Sequence, residues 1–264
     1  MKRTASANIV MHSKGDARLI LSIAVADAAH AQEQITVRVN EADVPVREVL
    51  DQHGTRLHIA EVGMGRVAIS YEATVTGHAP LEACDEIDQI RYLRQSRYVE
   101  SDQLGPTARD EFAGLAGAEL LQAVRDWVNE QLRYVPGSSR SADGALHALI
   151  AREGVCRDFA HLAIALLRAL DVPARLASTY APGVFPMDFH AVAEAYIDGR
   201  WVVIDPTGRA PRQSLMRIAT GRDAADIAWL TVVGDPVNFG SLVVHADSDE
   251  VHEDDHRELI ELGR

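Results

Sequence analysis

Three features of the sequence predict an α+β fold: a run of short β-prone segments in the first third, a change to helical periodicity near the middle, and a return to strands after Pro173. The 264 residues suffice for one large or two modest hydrophobic cores. The 47% hydrophobic and 25% charged fractions are those of an ordinary soluble globular protein.

Residues 1–85 read as β-rich. Segments 18–25, 34–39, 56–60 and 66–75 are rich in Val, Ile, Leu and Thr and are separated by Gly, Asp and Asn, the pattern of a small sandwich or sheet. No chemical constellation falls here, and His53, His58 and His78 read as ordinary surface or strand histidines. The apolar run 19–26, with basic residues before it and Ala29-His30-Ala31 after it, imitates a signal segment. It is only eight residues long, Asp27 follows it and Asp16 interrupts its basic side, so it reads as a strand. No run approaches the length of a membrane span.

From Leu81 to Ala113 the pattern breaks into Glu, Asp, Arg and Gln, with Gly105-Pro106-Thr107 as a turn and capping signal. Tyr92 to Tyr98 reads as a connector lying against the next domain. An N-terminal β-rich domain with its connector is therefore expected over 1–104, and a second domain over 105–244.

Helical periodicity begins at Ala118, where Leu120, Leu121, Val124, Trp127, Val128 and Leu132 share one face. A loop over 134–141 and a short helix over 142–152 follow, and Gly154 lets the chain turn into a second helix. There Phe159, Leu162, Ala163, Leu166, Leu167 and Leu170 recur at helical spacing until Pro173 blocks extension. Ala160, Ala163, Ala165 and Ala169 put small residues on several sides, as in a central helix packed from more than one direction.

Cys156 falls in the first turn of that helix. The first N–H groups of a helix lack intrahelical partners and carry the positive end of the macrodipole, which favours a thiolate. A free cysteine is more often a small buried hydrophobe, so the distinction rests on what lies downstream.

Segment 174–180 reads as a strand and 181–188 as a loop, and 190–197 and 201–204 flank Asp198-Gly199, a strong hairpin signal. If Ile197 faces Arg200, Asp205 falls opposite Val192 and one diagonal step from His190. Diagonal neighbours are roughly 7 Å apart at the backbone, within reach of an imidazole–carboxylate hydrogen bond. A cysteine at a helix N-terminus, a histidine to take its proton and a carboxylate to orient the histidine form an activated nucleophile. Cys156, His190 and Asp205 occur in that order. His161, the obvious competing base, is turned about 140° around the helix from Cys156. His147, before the turn, stays open as an alternative. Asp158 complements the helix N-terminus. Trp201 and Tyr180 are candidates for lining a cleft, although aromatics beside a strand are more often core.

A net charge of -13 argues against nucleic acid as a partner. Two cysteines, Cys84 and Cys156, make no disulfide framework and show no zinc-binding spacing. A reducing, cytoplasmic setting is expected, with no cofactor and no metal. In the tail, 245–264, His alternates with Asp and Glu. A metal site is imaginable there, but an acidic terminal run is more often solvated and flexible.

Gly154-Val155-Cys156-Arg157-Asp158-Phe159-Ala160, Asp188-Phe189-His190-Ala191 and Gly199-Arg200-Trp201-Val202-Val203-Ile204-Asp205-Pro206-Thr207 together resemble the transglutaminase-like family of bacterial papain-type cysteine enzymes. The resemblance covers roughly residues 118–228. Residues 92–102 and 221–226 are similar to members that carry an N-terminal β domain. The resemblance implies a catalytic domain with a Cys-bearing central helix on an antiparallel sheet. It further implies Cys156 as nucleophile, His190 as general base and acid, and Asp205 as the residue orienting His190. The implied chemistry is acyl transfer from a peptide or protein amide, most simply hydrolysis by a peptidase or amidase. Transfer to an amine, as in a protein-glutamine transglutaminase, and a catalytically silent scaffold are the alternatives. The second oxyanion donor is not assigned from sequence.

Overall fold

The computed structural model describes residues 1–26, 30–78, 84–250 and 252–262. The step from Asp27 to Ala29 and the start of the polar stretch at Leu81 lie outside the described residues. The fold is α+β, as its strand and helix pattern predicts.

The first unit is built from β1 (Lys2–Ser13), β2 (Ala17–Leu21), β3 (Ala31–Val39), β4 (Ala42–Val44), β5 (Val46–Leu50), β6 (Arg56–Val62) and β7 (Gly65–Thr76). Alternate residues point inward: Ala5, Ala7, Ile9 and Met11 of β1 meet Leu19 and Leu21 of β2 and Val67, Ile69 and Tyr71 of β7 in one core. β1 carries Lys, Arg, Ser, Asn and His beside small alanines, so its strand character shows only when the buried alternation is seen.

Helices α1 (Glu86–Arg91), α2 (Ser101–Glu111), α3 (Gly117–Gln131) and α4 (Ala145–Ala151) follow, with two-residue strands β8 (Arg133–Tyr134) and β9 (Glu153–Gly154) leading into α5 (Cys156–Ala169). Every residue from Asp158 to Arg168 of α5 is buried, and α5 packs against α2, α3, α4, β9, β10 (Ala174–Tyr180) and β11 (His190–Ile197). Its small residues are what admit neighbours on several sides. The sheet beneath it has the order β12 (Arg200–Ile204), β11, β10 (Ala174–Tyr180), β13 (Met216–Gly221), all antiparallel.

Two expectations about chain organisation meet a different structure. The boundary placed at residue 104 falls inside α2, and the last two strands do not stay with the second unit. β14 (Leu230–Gly234) pairs with β2, and β15 (Val237–Ser248) pairs with β1 from Arg3↔Ser248 to Ser13↔Val237. The sheets of the first unit run β15-β1-β7-β3-β4 and β14-β2-β6-β5. Sequence periodicity locates strands but does not say which sheet a distant strand joins.

The acidic tail is also held, where composition suggested solvation. The Ile260 carbonyl accepts from Val203 N–H of β12 at 2.8 Å, Leu262 is buried with Val203 and Leu215, and Asp254 accepts from Arg212 Nε at 2.9 Å and Nη2 at 2.9 Å. Specific arginines thus neutralise the acidic run, a pairing that composition cannot reveal. Among the described residues no group of three or more His, Cys, Asp and Glu is placed to hold a metal ion. Among them, too, no helix is long and apolar enough to cross a membrane.

Arginines join the units. Arg168 of α5 donates to the carbonyls of Ala174, Arg94 and Arg222 at 2.7–2.8 Å, which fastens the connector to the end of the helix. Arg175 of β10 is fully buried between Glu194, at 2.9 Å, and the Trp201 ring, at 4.0 Å. His53, which reads from sequence as an ordinary surface or strand histidine, is half-buried where the first unit meets this network, its Nε2 2.8 Å from the Tyr92 hydroxyl.

Candidate active site

The start of α5 is fixed by its own residues. Val155 is extended (φ -114°, ψ 179°), and its N–H donates to Asp158 Oδ2 at 2.8 Å, so Asp158 closes one orphan donor and places a negative charge at the dipole's positive end. Ser139 Oγ donates to the other carboxylate oxygen at 2.9 Å. Gly154 is required by contact, because a Cβ there would meet Asp158 Cβ at 2.7 Å. This turn delivers a half-buried Cys156 at the helix N-terminus with a free thiol.

The hairpin has the register expected from its turn. Ile197 faces Arg200 and Ala193 faces Ile204, with Asp198 (φ 51°) and Gly199 (φ 79°) both left-handed as a tight hairpin requires. Asp205 continues beyond the last bridge and reaches His190 diagonally: the Nε2···Oδ2 distance is 2.8 Å, and both residues are buried. The other carboxylate oxygen accepts from Thr207 N–H at 2.9 Å and Thr207 Oγ1 at 2.7 Å. Asn129 of α3 holds the next carbonyl, that of Pro206, at 2.7 Å.

Cys156 lies beside His190, close enough to favour the charged form of the imidazole. With Nε2 committed to Asp205, Nδ1 is the atom left to face the sulfur. Burial opposes a charge on His190, but the Asp205 carboxylate, its hydrogen bond and the contact with Cys156 outweigh it and raise the imidazole to about 10. Burial pushes the Asp205 carboxyl upward, and the His190 charge with the hydrogen bonds from His190 and Thr207 brings it below its ordinary value. The structure thus brings the three candidate residues together, with His190 bonded to Asp205 and Cys156 beside it, an arrangement able to hold an imidazolium between a sulfur and a carboxylate.

The transglutaminase-like superfamily model matches residues 108–206, which contain all three. A Cytophaga hutchinsonii structure described as a candidate cysteine protease is 31% identical, with a TM-score of 0.84 over 96% of this chain and 92% of that one. The chain belongs to the transglutaminase-like superfamily. An uncharacterized protein of Mycobacterium leprae is 32% identical over 116 residues, and one of Mycobacterium tuberculosis is 36% identical over 124 residues. The match spans 42% and 40% of the length of these curated relatives.

In this transglutaminase-like chain the other histidines stand apart from the thiol. His161 is fully buried, stacks on Tyr98 at 5.5 Å and accepts Ala224 N–H at 3.1 Å; burial drives its pKa down to about 3. His147 is exposed on α4, with Asp143 at 3.7 Å and Arg140 at 3.5 Å. Trp201 and Tyr180 are core, Trp201 under Arg175 and Tyr180 donating to the Ile23 carbonyl at 2.8 Å.

Four residues near the site escaped the sequence reading. Thr207 had a signal, since Asp-Pro-Thr is a turn pattern whose hydroxyl and N–H fold back on the aspartate. Asn129 and Arg209 had none. Tyr134 comes from the parallel pairing Tyr134↔Gly154, and its phenol meets the Cys156 backbone N–H. Burial, then the nearby Cys156, push its pKa up to about 12 against the pull of Arg209 and that N–H.

Proposed function

We propose that the protein is a cysteine-dependent hydrolase of peptide or carboxamide bonds. The observation that carries this reading is the buried His190–Asp205 pair with half-buried Cys156 beside it, the sulfur standing at a helix N-terminus. Cys156 sulfur attacks the amide carbon while its proton rests on His190 Nδ1. The imidazolium then returns that proton to the departing nitrogen, leaving a thioester, and His190 next takes a proton from water to release the acid. Asp205 keeps the His190 ring oriented and stabilises its charge, and Thr207 and Asn129 hold the turn that carries Asp205. The developing oxyanion takes the place of the Tyr134 oxygen at Cys156 N–H, and the protonated Tyr134 hydroxyl turns toward it as the second donor. A reducing cytoplasmic setting keeps the thiol available. The similarity to a candidate cysteine protease supports a peptide substrate with water as acceptor.

The test is ammonia and amine release from glutamine-containing peptides, with and without methylamine, by wild type, Cys156→Ala and His190→Ala. Release abolished in Cys156→Ala and lowered at least about 10³-fold in His190→Ala is the expected result. Methylamine incorporation in place of acid would move the reading to a transglutaminase. An unreactive Cys156, alkylating no faster than Cys84, would leave the scaffold.

A further inference from the structure

Arg209 differs from the other arginines around the site. Arg140 meets Asp143 at 3.2 Å, Arg212 meets Asp254 at 2.9 Å, and Arg125 meets Asp126 at 2.7 Å. Arg157 donates to Ser139 Oγ and to the Arg140 carbonyl, with Asp158 at 3.8 Å. Among the described residues no carboxylate lies within ion-pair distance of Arg209. Its side chain donates from Nη2 to the Phe185 carbonyl in the loop that leads to His190, and its buried Nε meets no acceptor.

Its placement is fixed. Arg209 is half-buried four residues beyond Asp205, its N–H donating to Thr207 Oγ1 at 3.3 Å. The guanidinium carbon stands 4.3 Å from the centroid of the Tyr134 ring, and the hydroxyl of that ring meets Cys156 N–H. A guanidinium held over an aromatic ring keeps its planar fork of donors, which can take a carboxylate through two parallel hydrogen bonds. In a chain of net charge -13 this is a local cation one ring away from the thiol. Asp188 acts on Tyr134 as well, but its Oδ1 accepts Phe189 N–H at 2.7 Å, and it is not paired with Arg209.

We propose that Arg209 receives a carboxylate carried by the substrate beside the scissile amide, which makes acidic peptides the preferred substrate class. This rests on the acyl-transfer reading above. No bond is made or broken at Arg209, which acts as a specificity determinant.

Iodoacetate and iodoacetamide have nearly the same shape and differ by one negative charge. The measurement is the ratio of their alkylation rates at Cys156, relative to the same ratio at Cys84, in wild type, Arg209→Gln and Arg209→Lys. The expected result is a ratio that falls roughly tenfold in Arg209→Gln and is partly regained in Arg209→Lys. Peptide pairs with Glu or Gln beside the cleaved amide should lose their difference in kcat/KM in parallel. An unchanged ratio overturns the proposal, and so does an equal fall with both reagents, which would mean that Arg209 only supports Tyr134. Failure of the acyl-transfer reading shows separately, as a wild-type Cys156 that iodoacetamide modifies no faster than Cys84. In that event Cys156→Ala protein is titrated with N-acetylglutamate and N-acetylglutamine and the Arg209 Nε–H resonance is followed. A shift with the glutamate derivative alone supports the carboxylate site, and no shift or an equal shift overturns it.

Discussion

Replacing Asp205 by Asn keeps the shape of the side chain and an acceptor for Thr207 but removes the charge that faces His190. Asp205 Oδ2 lies 2.8 Å from His190 Nε2, with both side chains buried. At an effective dielectric constant of about 20 and a charge separation of about 4 Å, the attraction is about 4 kcal/mol, equivalent to about 3 units of imidazole pKa. Wild-type His190 is raised to about 10, against burial, by the Asp205 charge, by its hydrogen bond to Asp205 and by the nearby Cys156. Because the Cys156 contact survives in Asp205→Asn, the alkaline limb of peptide hydrolysis should move down by roughly 2 to 3 pH units. Cys156 alkylation, with Cys84 as reference in the same chain, should show the same displacement. Stability gives an independent reading. The folded pKa of His190 lies above its ordinary value of 6.5, so the contribution of the pair is complete below that pH and fades as pH rises toward 10. Asp205, depressed in the fold, stays charged across this window. The urea-unfolding gap between wild type and Asp205→Asn should therefore be widest on the acid side and close toward alkaline pH. Coincident activity profiles and a pH-independent gap would refute the ion-pair argument.

His161→Phe keeps the ring against Tyr98 but deprives Ala224 N–H of its acceptor, so a loss of about 1–3 kcal/mol in urea unfolding is expected. The depressed pKa of His161 makes wild-type stability fall as pH drops below 6.5 toward 3. The variant should show a shallower acid limb. Gly154→Ala forces a Cβ to within 2.7 Å of Asp158 Cβ, and the shift needed to relieve it should cost about 1–3 kcal/mol and slow Cys156 alkylation. Arg212→Ala leaves Asp254 buried without its cation, and hydrogen exchange should rise at Val203, whose N–H is bonded to Ile260, before it rises elsewhere in the sheet.

The parts of the molecule that were legible in the sequence are those governed by short-range rules. Asp198-Gly199 allows one tight turn, the turn sets the register, and the register brings His190 and Asp205 together. The periodicity from Phe159 to Leu170 marks the buried helix, and the angular separation of His161 from Cys156 correctly directs it elsewhere. What depends on long-range pairing was not legible. Nothing local in residues 237–248 says that they will join β1, and nothing in the acidic run says that Arg212 waits for Asp254. Tyr134 and Arg209 reach the neighbourhood of Cys156 from opposite sides of it in the chain, each positioned by contacts that only the assembled fold supplies.

The pairing of Arg3 with Ser248 has a consequence for how the protein is made. During synthesis β1 is made well before β15, the strand that completes its edge, with all the other strands and helices between them. Until then β1 presents an open ladder of N–H and C=O groups, and its closure must span nearly the whole chain, a step with a large loop-entropy cost. The sheet that β1 belongs to is therefore begun long before it can be closed, and a chain released short of β15 would expose an unpaired edge prone to aggregation.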